Sequence, residues 1–79
     1  MFINKTSTGK NNICGTRISK RRKELKISQR ELADRLQIIG LDIDKNAIQR
    51  IECGKRFVTD IELVKLSEVL NYTFDELLL

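Results

Sequence analysis

The chain has 79 residues, 41% of them hydrophobic and 33% charged, which indicates one globular domain rather than several domains or a disordered segment. It has no histidine and two widely spaced cysteines, Cys14 and Cys53, which excludes a zinc site, histidine-based catalysis and a disulfide framework, so neither an enzyme nor a cofactor is expected. The net charge of +4 is uneven, with ten Lys/Arg and three Asp/Glu in residues 1–40 against five and eight in residues 41–79, an asymmetry typical of a polyanion-binding face or of a solvated helix surface.

The first eleven residues are polar and predict a flexible arm, residues 1–11, outside a domain formed by residues 12–79. An arm that follows a groove of the partner is the alternative. The opening sequence MFINKTSTGK lacks the apolar core of a secretory signal, and no run of about 18 apolar residues could span a membrane. We therefore expect a cytoplasmic protein.

The first predicted helix covers residues 12–25, because apolar residues recur there near the 3.6-residue helical period. Its inner face holds Cys14, Ile18 and Leu25. The second predicted helix begins at Ser28, since Ser28 and Glu31 match the S-x-x-E capping box, and it ends near Gly40. Its apolar face holds Leu32, Ala33, Leu36 and Ile39.

The third predicted helix begins at Asp44, a good N-cap, and runs to Cys53, with Gly54 as the left-handed residue after it. Ile48 and Ile51 face inward. Four residues with hydrogen-bond donors are left outside: Lys45, Asn46, Gln49 and Arg50. Asn and Gln side chains suit adenine edges, and Lys and Arg suit guanine edges, so this surface is a candidate for reading bases. An ordinary polar helix face is the alternative.

Two more capping boxes predict the last two helices. Thr59 and Glu62 open a helix that runs to about Leu70, and Thr73 and Glu76 open a short terminal one. The terminal residues Leu77, Leu78 and Leu79 cannot all face inward, so at least one is expected in a dimer contact or against residues outside this chain. The predicted fold is all-α, with five short helices.

The segments SQRELADRL, IQRIECGKR and IELVKLSEVLNYTFDELL resemble the helix-turn-helix domain of the XRE family, which is related to lambda Cro and the phage repressors. The resemblance runs from Ile18 to Leu78. It implies a five-helix, lambda repressor-like DNA-binding domain that docks its third helix in the DNA major groove, usually as a symmetric dimer.

The resemblance also implies roles for individual residues. The base-contact positions match the outward residues of the third helix: Lys45, Asn46, Gln49 and Arg50. The phosphate-contact positions match Gln29, at the start of the second helix, and Lys55 and Arg56, in the loop after Gly54. Arg22 and Glu52 match an ion pair that ties the first helix to the end of the third.

The connection between the second and third helices departs from the usual pattern. Helix-turn-helix motifs join their helices with about three to four residues, whereas Leu36 and Asp44 are separated here by QIIGLDI. Either the second helix continues to Ile39 or the connection is a short loop, and Ile43 is expected in the core in both cases. The extended turn puts the tilt of the third helix in question.

These observations predict sequence-specific binding of double-stranded DNA by a bacterial or phage transcriptional repressor or regulator, acting as a homodimer on a palindromic operator. An antitoxin or a restriction-modification controller with the same domain is an alternative. A different class is a protein-interaction module that keeps the fold and has lost DNA binding. Its third helix would carry acidic or apolar residues outside, and this chain has neither there.

Overall fold

The computed structural model describes residues 5–79, which form five α-helices and confirm the predicted all-α fold. The helices are α1 (Gly15–Glu24), α2 (Gln29–Ile38), α3 (Lys45–Glu52), α4 (Asp60–Leu70) and α5 (Phe74–Leu78). Residues 1–4 of the predicted arm lie outside the described residues.

The helix starts lie where the capping residues predicted them. The side chains of four N-cap residues accept a backbone N–H three residues on, namely Ser28, Asp44, Thr59 and Thr73. The reciprocal half of the capping box forms at Thr59 and Thr73. At Ser28 the predicted box is only half formed, because the Glu31 carboxylate accepts from Arg35, one turn later, at 3.3 Å.

Helix α1 is shorter than predicted, since it begins at Gly15 rather than at residue 12. The side chain of Asn12 explains the difference. Its Oδ1 accepts from the Gly15 N–H at 2.8 Å, so residues 12–14 form the turn that leads into the helix. At the other end Lys26 has a φ of 58°, the left-handed conformation that ends a helix.

The connection between α2 and α3 is a loop of residues 39–44 that is hydrogen-bonded to the last turn of α2. The Leu41 N–H donates to the Leu36 carbonyl at 3.0 Å, and the Gln37 side-chain amide donates to the Ile43 carbonyl at 2.8 Å. Ile43 is buried, as predicted. The extended turn is therefore bonded to the end of α2, and buried Ile43 fixes it to the core just before α3.

One apolar core lies between the helices. Its members are Cys14, Ile18, Ile27, Leu32, Ala33, Leu36, Ile43, Ile48, Ile51, Leu66, Leu70 and Leu77. Cys14 and Cys53 are free thiols, and burial raises the pKa of Cys14. Of the three terminal leucines, Leu77 is buried, Leu78 is half-buried and Leu79 is exposed. The core thus fixes α3 from below and leaves its other face to solvent.

The described part of the predicted arm is joined to the end of α3. The Gly9 N–H donates to the Thr6 carbonyl at 2.9 Å, which closes a turn. Asn11 then donates through its backbone N–H to the Gly54 carbonyl at 2.8 Å, and through its side-chain amide to the Lys55 carbonyl at 2.9 Å. The predicted boundary between residues 11 and 12 therefore lies beside hydrogen bonds that hold this segment to the domain.

Candidate nucleic-acid interface

The outer face of α3 is a polar surface fixed from behind. Ile48 and Ile51 are fully buried, and Asp44 Oδ1 accepts from the Ala47 N–H at 2.8 Å to fix the start of the helix. All four predicted base-contact side chains are exposed on the other face: Lys45, Asn46, Gln49 and Arg50. Among residues 5–79, neither Lys45 nor Arg50 is in an ion pair, so their charged heads are available to a ligand.

Helix α2 contributes a second edge to this surface. A shallow cleft separates it from the start of α3 and is lined by Arg30, Ala33, Asp34, Gln37, Asp44, Lys45 and Asn46. The sequence prediction missed the α2 side of this cleft. Arg30, Asp34 and Gln37 have the spacing i, i+4, i+7 of one helical face, which is the signal that could have identified them.

The Glu52 carboxylate joins three helices. It accepts from Arg22 Nε at 2.7 Å and Nη2 at 3.0 Å, in α1, and from Gln29 Nε2 at 3.1 Å, in α2. Hydrogen bonding to Glu52 raises the pKa of Arg22 above its already high value, so the guanidinium is always charged. Arg22 also donates to the Ile27 carbonyl at 2.9 Å. Gln29, predicted to contact a phosphate, is thereby held at the start of α2.

The loop after α3 holds the other two predicted phosphate contacts, in different settings. Lys55 is exposed. The Arg56 guanidinium instead donates two hydrogen bonds to the Glu62 carboxylate in α4, from Nη1 to Oε1 at 3.0 Å and from Nη2 to Oε2 at 2.8 Å. Its Nη1 also donates to the Phe57 carbonyl at 3.2 Å. Its guanidinium thus ties the loop to α4.

The charge states of this pair follow from its contacts. Burial raises the pKa of the Glu62 carboxyl, but hydrogen bonds from Arg56 and from the Thr59 backbone outweigh burial and leave that pKa below its ordinary value. The same hydrogen bond to Glu62 raises the pKa of Arg56. The pair is therefore ionised at neutral pH, and the loop between α3 and α4 has a fixed shape.

Asn12 is a structural residue that the sequence prediction did not identify. Its side-chain Nδ2 donates to the Ile51 carbonyl at 3.1 Å and to the Arg56 carbonyl at 2.8 Å. The same amide accepts from the Gly15 N–H. It therefore caps the start of α1 and the end of α3 together. Its bond to Gly15 is local, but the two acceptors of its Nδ2 lie 39 and 44 residues away along the chain, so no local pattern indicates its link to α3.

Comparison with known proteins agrees with this geometry. The family model HTH_3, described as Helix-turn-helix, matches residues 18–77. No curated protein and no solved structure matches the chain. Within the described residues no helix is long and apolar enough to cross a membrane. The matched segment contains α2, the extended turn and α3, and it covers most of the chain, which therefore belongs to the XRE-type helix-turn-helix family of DNA-binding regulatory domains.

Proposed function

We propose that the protein binds a specific double-stranded DNA sequence through α3 and represses or otherwise regulates transcription, in the cytoplasm of a bacterium or of a phage-infected cell. The observation that carries this proposal is the outer face of α3. Four exposed donor-bearing side chains stand there on a helix whose other face is fully buried. A rigid, donor-rich helix surface suits base edges in a major groove about 12 Å wide.

We assign the base contacts to Lys45, Asn46, Gln49 and Arg50. We assign the phosphate contacts mainly to Gln29 and Lys55. An amide has two N–H donors. Gln29 uses Nε2 to reach Glu52, and the second N–H on that atom remains for a phosphate oxygen next to the N-terminus of α2. Lys55 is exposed in the loop after α3. We place Arg56 at the edge of this surface, where it contributes mainly by holding the loop.

The test is selection of binding sequences from a randomised duplex pool at low and at moderate salt. We expect one enriched palindrome with half-sites about 34–36 Å apart, the spacing of one DNA turn. Binding that is uniform across sequences and disappears with salt would contradict sequence-specific recognition, because only phosphate attraction behaves in that way. Absence of binding at both salt concentrations would favour the protein-interaction module.

Substitutions then separate the two kinds of contact. On the selected duplex, Gln49→Ala should cost about 1–3 kcal/mol and relax the preference at one base pair. Lys55→Ala should weaken binding to selected and scrambled duplexes alike. Lys23→Ala, which removes the same charge from an exposed position on α1, is the control and should change binding to neither duplex. Equal losses on both duplexes for Gln49→Ala would contradict its assignment to a base.

A further inference from the structure

The N-terminal turn lies against the C-terminal end of α3. The Thr6 N–H donates to the Lys10 carbonyl at 2.8 Å, and the Lys10 N–H donates to Thr6 Oγ1 at 3.0 Å, so residues 6–10 form a closed turn. Asn11 then joins this turn to the carbonyls of Gly54 and Lys55. The turn and the loop after α3 thus form one local structure.

The side chain of Lys10 runs across Gly54. A β-carbon on Gly54 would lie 2.8 Å from Lys10 Cδ, 2.9 Å from Cγ and 3.0 Å from Cβ, so the Lys10 side chain would have to shift if position 54 carried a side chain. Gly54 also has a φ of 80°, which favours glycine in its own right. The aliphatic part of Lys10 therefore covers Gly54, the residue after the end of α3, and the hydrogen bonds of Asn11 to the Gly54 and Lys55 carbonyls keep Lys10 close to Lys55 along this edge.

In the proposed complex, where α3 lies in the major groove, we expect this end of the molecule to lie beside a DNA strand. A helix rises about 1.5 Å per residue, so eight residues span about 12 Å, close to the width of the major groove. Residues just beyond the ends of such a helix meet the phosphates that border the groove. Within residues 5–79, Lys10 is in no ion pair, and neither is Lys55.

We propose that the N-terminal turn is part of the DNA interface and that Lys10 binds a backbone phosphate next to the one bound by Lys55. This inference rests on the proposed function. It assigns affinity to a segment that the sequence placed outside the domain. A purely structural role would be different: a lysine near the C-terminus of a helix also stabilises the helix dipole, without touching DNA.

The experiment compares Lys10→Ala with Lys20→Ala, which removes the same charge from an exposed position on α1. Each variant and the parent are titrated with the selected duplex and with a scrambled duplex between 50 and 200 mM salt. The slope of log K against log salt is negative, and one lost phosphate contact reduces its magnitude by about 0.9 per protein chain bound. We expect this decrease for Lys10→Ala on both duplexes, an unchanged slope for Lys20→Ala, and a parental slope for Lys10→Arg.

Melting curves separate binding from stability. Lys10→Ala should melt like the parent. In the salt titration, the double variant Lys10→Ala/Lys55→Ala should reduce the magnitude of the slope of log K against log salt by about twice as much as either single variant. A parental slope for Lys10→Ala would overturn the inference, and with a lowered melting temperature it would leave only the stabilising role at the helix end. If the parent itself bound neither duplex, the proposed function would fail as well.

Discussion

Glu52 shows how a single carboxylate links the three helices that carry the candidate interface. The side chains of Arg22 and Glu52 are only 11% and 7% exposed, so their ion pair is largely shielded from water. Gln29 shares the same carboxylate. A buried charge that loses its partner costs far more than an exposed one, because it keeps the penalty of leaving water. Removal of either partner of this ion pair is therefore expected to destabilise the fold.

We predict that Arg22→Ala lowers the free energy of unfolding by about 3 kcal/mol, since it leaves the Glu52 carboxylate without its cation. Urea unfolding followed by circular dichroism measures the change. The matched control is Arg35→Ala, which breaks the pair between Arg35 and Glu31, both about half exposed. That variant should lose no more than about 0.5 kcal/mol. Equal stability of Arg22→Ala and the parent would show that the ion pair does not support the fold.

At the scale of helices, α1 and α3 are in close contact at Gly15. A β-carbon there would lie 2.2 Å from the Ile51 carbonyl oxygen and 2.8 Å from Asn12 Oδ1. Both atoms belong to the arrangement that caps the end of α3. Because residue 15 has no side chain, α1 and α3 can pack this closely, and this contact fixes the position of α3 relative to α1.

We predict that Gly15→Ala destabilises the fold by about 2 kcal/mol through overpacking against backbone that cannot move aside. Gly40→Ala is the contrasting variant. It has open space around it but a φ of 95°, so it should lose about 1 kcal/mol through backbone strain alone. Denaturant unfolding measures both. A Gly15→Ala protein as stable as the parent would mean that α1 and α3 are not in close contact there.

The helices could be predicted from sequence because their starts are local. Ser28, Asp44, Thr59 and Thr73 each reach a backbone N–H only three residues away, so a short pattern contains the whole interaction. The outward face of α3 follows from the helical period in the same way. The prediction that α1 starts at residue 12 is wrong by three residues, because Asn12 bonds to the Gly15 N–H from the turn before the helix, where its Nδ2 also reaches carbonyls 39 and 44 residues distant.

The surroundings of the candidate site were less predictable for the same reason. A basic pair after a helix suggests phosphate contacts, but the fork from Arg56 to Glu62 depends on where α4 is packed. The attachment of residues 6–10 to the domain could not be predicted either, because the contact between Lys10 and Gly54 depends on the fold. Sequence patterns therefore indicated which residues carry donors, and packing determined which of those donors are already used.

On the scale of the whole molecule, a stripe of apolar side chains remains uncovered along α4. Ile61 and Val64, three residues apart in α4, are 66% and 43% exposed on one side of that helix, and Phe57, in the loop before it, is 56% exposed. Arg56 holds the Phe57 carbonyl while it forks onto Glu62, so the aromatic ring stands on a fixed loop. We propose this stripe as the homodimer contact, in preference to Leu79.

We predict that Ile61→Glu converts a dimer into a monomer, because two-fold pairing would bury two carboxylates against apolar side chains. Light scattering across a concentration series measures the mass. Ile38→Glu places the same charge on another highly exposed isoleucine, outside the stripe, and should leave the dimer intact. A dimer that survives Ile61→Glu and dissociates with Leu79→Glu would move the contact to the C-terminus, whereas a monomeric parent would contradict the homodimer.

The double role of Asn12 also has a consequence for how the chain folds. One side chain bonds to the start of α1, to the end of α3 and to the loop beyond it. We therefore expect the docking of α3 to stabilise the first turn of α1. The amide hydrogen of Gly15 should accordingly exchange more slowly in the folded domain than in a variant such as Asn12→Ala, which hydrogen exchange can measure.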